Sequence, residues 1–488
     1  MLKPKIFSKM MHPSFPARRI TRQMNVKKQF FVLLSGIVLV VAGCGREVAT
    51  QKPVQESTQL EPTQQAAAFD PLTLALMTQA GDSRTDKEVR RYQDKVRQNK
   101  NRDVSLERLG WLFTVKARES FDPGYYKLAE ACADLLAADK PGCPEALLLH
   151  GYVFENLHRF KEAEPLAREL VAQRGLSFDY GLLGDSLMEQ GKLNEAVDAY
   201  QHMVDLRPDL ESYSRVAHMR WLKGDTEGAI EMMQAAVSAS TPRDPDSAAW
   251  VSTRLAVLKF QSGKTEDAQT AAALALQVRP NYPPALLLQG RMFLAEEKPD
   301  AAVENFQIAA KANPLPEYQW ALAEALRAAD REPEAAEVEA HLQASGAQND
   351  PRTYSLFLAT RGEDTATALR LARAELEQRQ DVFTQDAVAW ALAANGRIAE
   401  AQQHMTLALA ENTEDARMYF HAAVISQRAG QSADAQKWFT RAAESLQVLL
   451  PSEQARLLQL AETFPANDQT ASVAAIHDSS VPSLTAGN

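Results

Sequence analysis

The chain is 488 residues long, 45% apolar and 24% charged, which is room for about three average domains or one long repeat array. That balance excludes wholesale disorder and a collagen-like fibre. The net charge is −10, and the 53 basic side chains less the eight in residues 1–43 leave 45 against 63 acidic ones, a body of −18 that repels nucleic acid and anionic headgroups.

Lys27 and Lys28 precede a mostly apolar run, Phe30 to Val41, that closes as Val41-Ala42-Gly43-Cys44. A basic flank, a short apolar stretch and small residues before a cut point are the parts of a secretory signal peptide. The run is too short for a spanning helix, which needs about 20 apolar residues. With Cys directly after Ala-Gly, the segment resembles the lipobox of bacterial lipoproteins. The resemblance implies that residues 1–43 are removed and that Cys44 is acylated, with palmitate among the chains. Several chains hold a protein on a membrane where one does not. Met24 is an alternative start. Gly45 stands where an Asp would favour the inner membrane, so the resemblance implies the bacterial outer membrane, facing the periplasm. Residues 44–69 read as the lipidated Cys and a polar tether, and 465–488 as a disordered tail.

Residues 70–102 read as capping helices, and 103–464 as one motif repeated, with a closing helix at its end. From Ser177, the residues Tyr180, Leu183, Gly184, Leu187, Gly191, Ala196, Tyr200 and Pro208 fall at positions 4, 7, 8, 11, 15, 20, 24 and 32. This spacing resembles the tetratricopeptide repeat, departing only in Leu187 for an aromatic at position 11. The frame returns at Pro283 with Leu286, Gly290, Phe293, Ala302 and Phe306, and again around Gly263, Gly396 and Gly430. Small side chains at positions 8 and 20 let two helices approach, and large ones fill the gap. Unit starts are expected near Asp103, Pro144, Ser177, Leu210, Ala249, Pro283, Glu317, Asn349, Val382 and Ala416. The fold predicted is an all-α, right-handed superhelical solenoid of about ten helix pairs.

Chemistry finds little footing in this sequence. The nine His form no zinc-ligand cluster, so neither metal nor cofactor is expected. Asp244-Pro245-Asp246 has the outline of a metal-dependent glycosyltransferase motif but sits in a Pro-rich connector with no strand pattern nearby. There is no Walker loop, nucleophile elbow or dinucleotide fingerprint, and an enzyme is not expected. Cys132 and Cys143 are the thiols besides Cys44. In an oxidising compartment they are expected to close a 12-residue loop, worth up to about 3 kcal/mol. Two free thiols, one filling a core slot, are the alternative.

The tetratricopeptide resemblance implies a protein or peptide partner laid against positions 2, 5, 9 and 12 of the first helices. Those positions give Tyr152 and Glu155, then Phe178, Asp185 and Met188, then Ser214, His218 and Trp221. Later units supply Trp250 and Phe260, Arg291 and Leu294, Tyr318, Phe383 and Trp390. The candidate partner-binding set is Tyr152, Phe178, Asp185, His218, Trp221, Arg291 and Trp390, with packing against neighbouring helices as the competing role. The Lys and Asn of an acidic-peptide clamp are replaced here by Leu148 and Tyr152, Gly181 and Asp185, Ser214 and His218. The function expected is a membrane-anchored periplasmic scaffold that organises an envelope complex. A self-assembling structural protein and an envelope enzyme with a cross-helix site are the alternatives.

Overall fold

The computed structural model describes residues 70–464. The expected signal peptide 1–43, the expected lipidated Cys44 with its linker 44–69, and the expected tail 465–488 lie outside the described residues. Within them stand 23 α-helices and no strand, and no helix among them is long and apolar enough to cross a membrane.

Two helices lead, α1 (Pro71–Ala75) and α2 (Arg84–Arg97). Ser83 and Asp86 cap α2 by exchanging side-chain-to-backbone hydrogen bonds of 3.0 Å. Asp86 also pairs with Lys116, which ties α2 to the first repeat. Ten helix pairs follow. They are α3 (Arg102–Ser120) with α4 (Gly124–Asp139), α5 (Pro144–Asn156) with α6 (Phe160–Gln173), α7 (Ser177–Glu189) with α8 (Leu193–Leu206), α9 (Leu210–Leu222) with α10 (Thr226–Ala239), and α11 (Pro245–Gln261) with α12 (Thr265–Val278). The second half comprises α13 (Pro283–Ala295) with α14 (Pro299–Ala312), α15 (Pro316–Ala328) with α16 (Glu332–Asn349), α17 (Pro351–Arg361) with α18 (Thr365–Gln378), α19 (Val382–Ala394) with α20 (Ile398–Ala408), and α21 (Ala416–Arg428) with α22 (Ser432–Ala443). A last helix, α23 (Pro451–Ala461), follows them.

α11 begins four residues before the expected Ala249. Asp244 accepts from the Ser247 amide at 3.2 Å, and Pro245 takes the first helical position, where no amide is needed. The expected Thr241–Asp246 connector is shortened accordingly, and Asp246 pairs with Arg279 at 3.0 Å.

Packing within each pair follows from residue size. At position 20, Ala163, Ala196, Ala229, Ala302, Ala401 and Ala435 are all fully buried. At position 8, a Cβ on Gly184 or Gly290 would stand 2.3 Å from the ring of Tyr200 or Phe306, so only glycine admits that ring. The turn after each first helix needs a left-handed residue. Gly191, Gly224, Gly263, Gly396 and Gly430 supply it, whereas His158, Glu297 and Asp330 hold the same conformation at φ of 56° to 58°.

The array coils tightly enough to touch itself. A helix leaves its last carbonyls without intrahelical donors, and here the next coil turn supplies them. Gln380 N donates to Glu189 O at 2.9 Å, Thr413 Oγ1 to Leu222 O at 2.7 Å, and Ser445 Oγ to Gln261 O at 2.9 Å. These ends of α7, α9 and α11 thus meet chain 184 to 191 residues further on, between five and six repeats.

Candidate functional site

The seven candidate partner-binding residues fall into four environments. Tyr152 of α5 and Phe178 of α7 gather with Trp111 of α3. Ring centroids are 5.2 Å apart for Trp111 and Tyr152, 6.3 Å for Trp111 and Phe178, and 6.4 Å for Tyr152 and Phe178. Phe178 keeps 37% of its surface exposed. Among the described residues no ring from another coil turn stacks on this trio.

Asp185 is spent internally. It accepts from Tyr200 Oη at 2.8 Å and from Arg215 Nε and Nη2 at 2.8 and 2.6 Å, bracing α7 against α8 and α9. Trp390 is 1% exposed; its Nε1 donates to Thr360 Oγ1 at 3.0 Å and its ring stacks on His421 at 4.1 Å. It belongs to the core between α17, α19 and α21.

His218, Trp221 and Arg291 line a central cavity of about 530 Å³. One wall comes from the first helices α7 to α15, and the other from the starts of α17, α19 and α21. Trp221, only 5% exposed, lies against Phe383 with centroids 5.5 Å apart and donates to Glu414 O at 3.3 Å. That makes it a contact between coil turns.

The cavity is dense in charge. Arg379 reaches Glu189 at 2.5 Å and Asp381 at 3.4 Å, Arg352 reaches Asp381 at 3.4 Å, Arg291 reaches Glu317 at 3.0 Å, and Arg417 reaches Glu453 at 2.6 Å. Asp381 also caps α19, accepting from the amides of Phe383 and Thr384 at 2.9 and 3.1 Å. Burial pushes its carboxyl up, but Arg352, Arg379 and the Thr384 donors prevail and hold it below the usual range. For Glu189 burial prevails over Arg379, and the carboxyl is raised. Burial, and then the charge of Arg254, press the His218 imidazole down to about 3, so it is neutral. Arg254 of α11 has neither hydrogen bond nor ion pair among the described residues, and burial lowers its guanidinium from the ordinary value with only partial offset from Glu317.

The sequence reading passed over Arg254, Arg352, Arg379 and Arg417. Periodicity placed Trp250 on the inner face, and Arg254 lies one helical turn further along the same helix; that was the available signal. The others enter from units about three to five repeats further along the chain, a proximity that local spacing does not encode.

The expected Cys132–Cys143 bond is not formed, and both thiols are free. Cys132 is fully buried in the core shared by α3 and α4, its Cβ 3.3 Å from where a side chain on Gly110 would begin. Cys143, half-buried, is the N-cap residue of α5 and packs against the edge of that core. No cluster of three or more metal-ligating side chains occurs among the described residues.

The tetratricopeptide repeat family model matches residues 182–248, 253–314 and 287–350. No curated protein sequence matches the chain. Similar solved structures include the MamA protein (19% identity over 35% of this chain and 91% of that one, TM-score 0.28) and PilF of Pseudomonas aeruginosa (14%, 44% and 96%, TM-score 0.36). The human IFIT1 dimer with PPP-AAAA is another (14%, 76% and 93%, TM-score 0.42). Among the described residues the chain is an all-α solenoid with ten helix pairs, and it carries tetratricopeptide repeats between residues 182 and 350.

Proposed function

We propose that this protein is a non-enzymatic scaffold of the bacterial cell envelope, lipid-anchored through Cys44 to the outer membrane. In this reading it faces the periplasm and holds a protein or peptide partner on its first helices. The carrying observation is the trio of Trp111, Tyr152 and Phe178, three aromatic side chains from successive first helices with Phe178 left open to solvent. Aromatic anchors give large contact area at low entropic cost, which is why they dominate interface energetics. Further along, the inner face closes on the next coil turn around a cavity, so docking of a protein chain shifts to the amino-terminal units. Support for the anchor is Val41-Ala42-Gly43-Cys44 after the basic and apolar run.

Affinity capture from solubilised membranes tests both parts. Tyr152→Ala and Phe178→Ala together are expected to reduce partner recovery at least tenfold, about the effect of losing one hot-spot anchor. Their melting curves should stay close to that of the parent chain. Cys44→Ser is expected to leave the membrane fraction and accumulate as an uncut precursor; a variant that still fractionates as processed lipoprotein removes the anchor from the reading.

A further inference from the structure

Trp250 and Arg254 stand one helical turn apart on α11, share a face, and line the central cavity together. Neither is committed to the fold. Trp250 is 41% exposed, unusual for the largest apolar side chain, while Arg254 has no acceptor among the described residues. The other four cavity arginines each have a carboxylate partner within 3.4 Å. Arg291 also keeps a buried Nε without an acceptor, and Glu317 acts on both guanidinium groups.

Arg254 is half-buried, and a charge partly withdrawn from water without a partner gains from a counter-ion that joins it. Four ion pairs leave Arg254 and the Asp415 carboxylate over, so the lining balances in charge as a whole, and the seat for an anion is local to Arg254, the cavity arginine without a carboxylate in ion-pair reach among the described residues. Asp381 and Asp415 on the facing wall, with Glu189 at the end of α7, would repel a more highly charged group. Trp250 and Val257, on the same face of α11 as Arg254, and Leu287 of α13 give the cavity apolar lining as well. A cavity of about 530 Å³ is the size that encloses a small organic molecule.

We propose that this cavity binds a small monocarboxylate with a flat apolar body, the carboxylate on Arg254 and the body against Trp250. The site is separate from the aromatic trio assigned to protein partners, and either assignment can fail without the other.

The test titrates the full-length chain with naphthylacetate, its neutral analogue naphthylacetamide, inorganic phosphate, and an acetylated tripeptide with a free carboxyl terminus. Calorimetry and tryptophan fluorescence are the readouts. Naphthylacetate is expected to bind at least tenfold tighter than the amide, the scale of one charge-assisted hydrogen bond. Arg254→Gln should erase that difference and Arg254→Lys retain part of it. Trp250→Leu should weaken both compounds and remove the fluorescence change. Because Arg254→Gln removes an unpaired charge, it is expected to melt no lower than the parent, which separates lost binding from lost fold. Equal binding of acid and amide, no binding of either at millimolar concentration, or phosphate binding as well as the acid would overturn the assignment. Preference for the tripeptide over naphthylacetate would overturn it too, transferring the cavity to peptide chain ends.

Discussion

Gly224 and the carbonyl oxygen of Asn412 lie so close that a Cβ on Gly224 would stand 2.6 Å from that oxygen. Gly191 and the carbonyl of Gln380 repeat the arrangement at 2.7 Å. Gly263 and Gly396 have nearly the same φ, 73° and 74°, yet nothing within 4 Å of the added atom. Two of these glycines therefore serve the turn alone, and two also admit the next coil turn.

Alanine at each position separates these roles. Gly263→Ala and Gly396→Ala are expected to cost about 1 kcal/mol, the left-handed penalty for an L side chain. Gly191→Ala and Gly224→Ala should cost about 1 to 3 kcal/mol more, because a backbone carbonyl must move. Small-angle scattering should show expansion in the latter pair only. Identical melts and profiles for all four would mean that the coil is not closed in solution.

Trp221→Ala removes the ring between Phe383 and the Glu414 carbonyl and is expected to cost about 3 to 5 kcal/mol, measured by thermal or denaturant melting. Phe178→Ala should cost less, about 1 kcal/mol, since that ring keeps 37% of its surface exposed and touches only the edge of the trio. Ala196→Leu, at a fully buried position facing the paired helix, should cost about 1 to 3 kcal/mol by overpacking. Hydrogen exchange should show that damage starting in the third unit and spreading to its neighbours, as expected for a chain of nearest-neighbour contacts.

Thiol alkylation of the folded protein is expected to modify Cys143 and spare Cys132. Burial both shields the Cys132 sulfur and pushes its thiol well above the usual range, so little reactive thiolate forms. Denaturation without reductant should expose both. Cys132 reacting at the same rate as Cys143 in the folded chain would contradict its place in the core.

His218 predicts a weakening in acid. Its folded value of about 3 lies below the ordinary 6.5, so the unfolded chain takes up the proton first as pH falls. The contribution is complete above pH 6.5 and declines toward pH 3. Between pH 7 and pH 5 the loss is about 1 to 2 kcal/mol, with a discount for partial exposure. Glu189 and Asp415, whose carboxyls burial raises, act in the opposite sense. The comparison is therefore the parent against His218→Gln at both pH values, and the variant is expected to show the smaller difference.

The helix pairs and most of their starting residues were readable from the sequence, because their causes are local. Pro144, Ser177, Leu210, Pro283, Val382 and Ala416 open first helices as expected from the recurrence of Gly, Ala and aromatic residues about 34 positions apart. A small side chain at position 8 or 20 answers to a partner in the same or the adjacent unit, so periodicity records it. The inner face was legible only as a set of positions. Tyr152 and Phe178 meet each other, whereas Trp221 meets Phe383 and Glu414, and Trp390 meets Thr360 and His421. Which of these faces solvent depends on how far each unit rotates on the last. That rotation is a small angle summed over five to six repeats, and no single repeat contains it. The sequence by itself thus determined the repeat and its packing, while the tertiary structure alone decided the closure of the coil, the central cavity, and the arginine left in it without a partner.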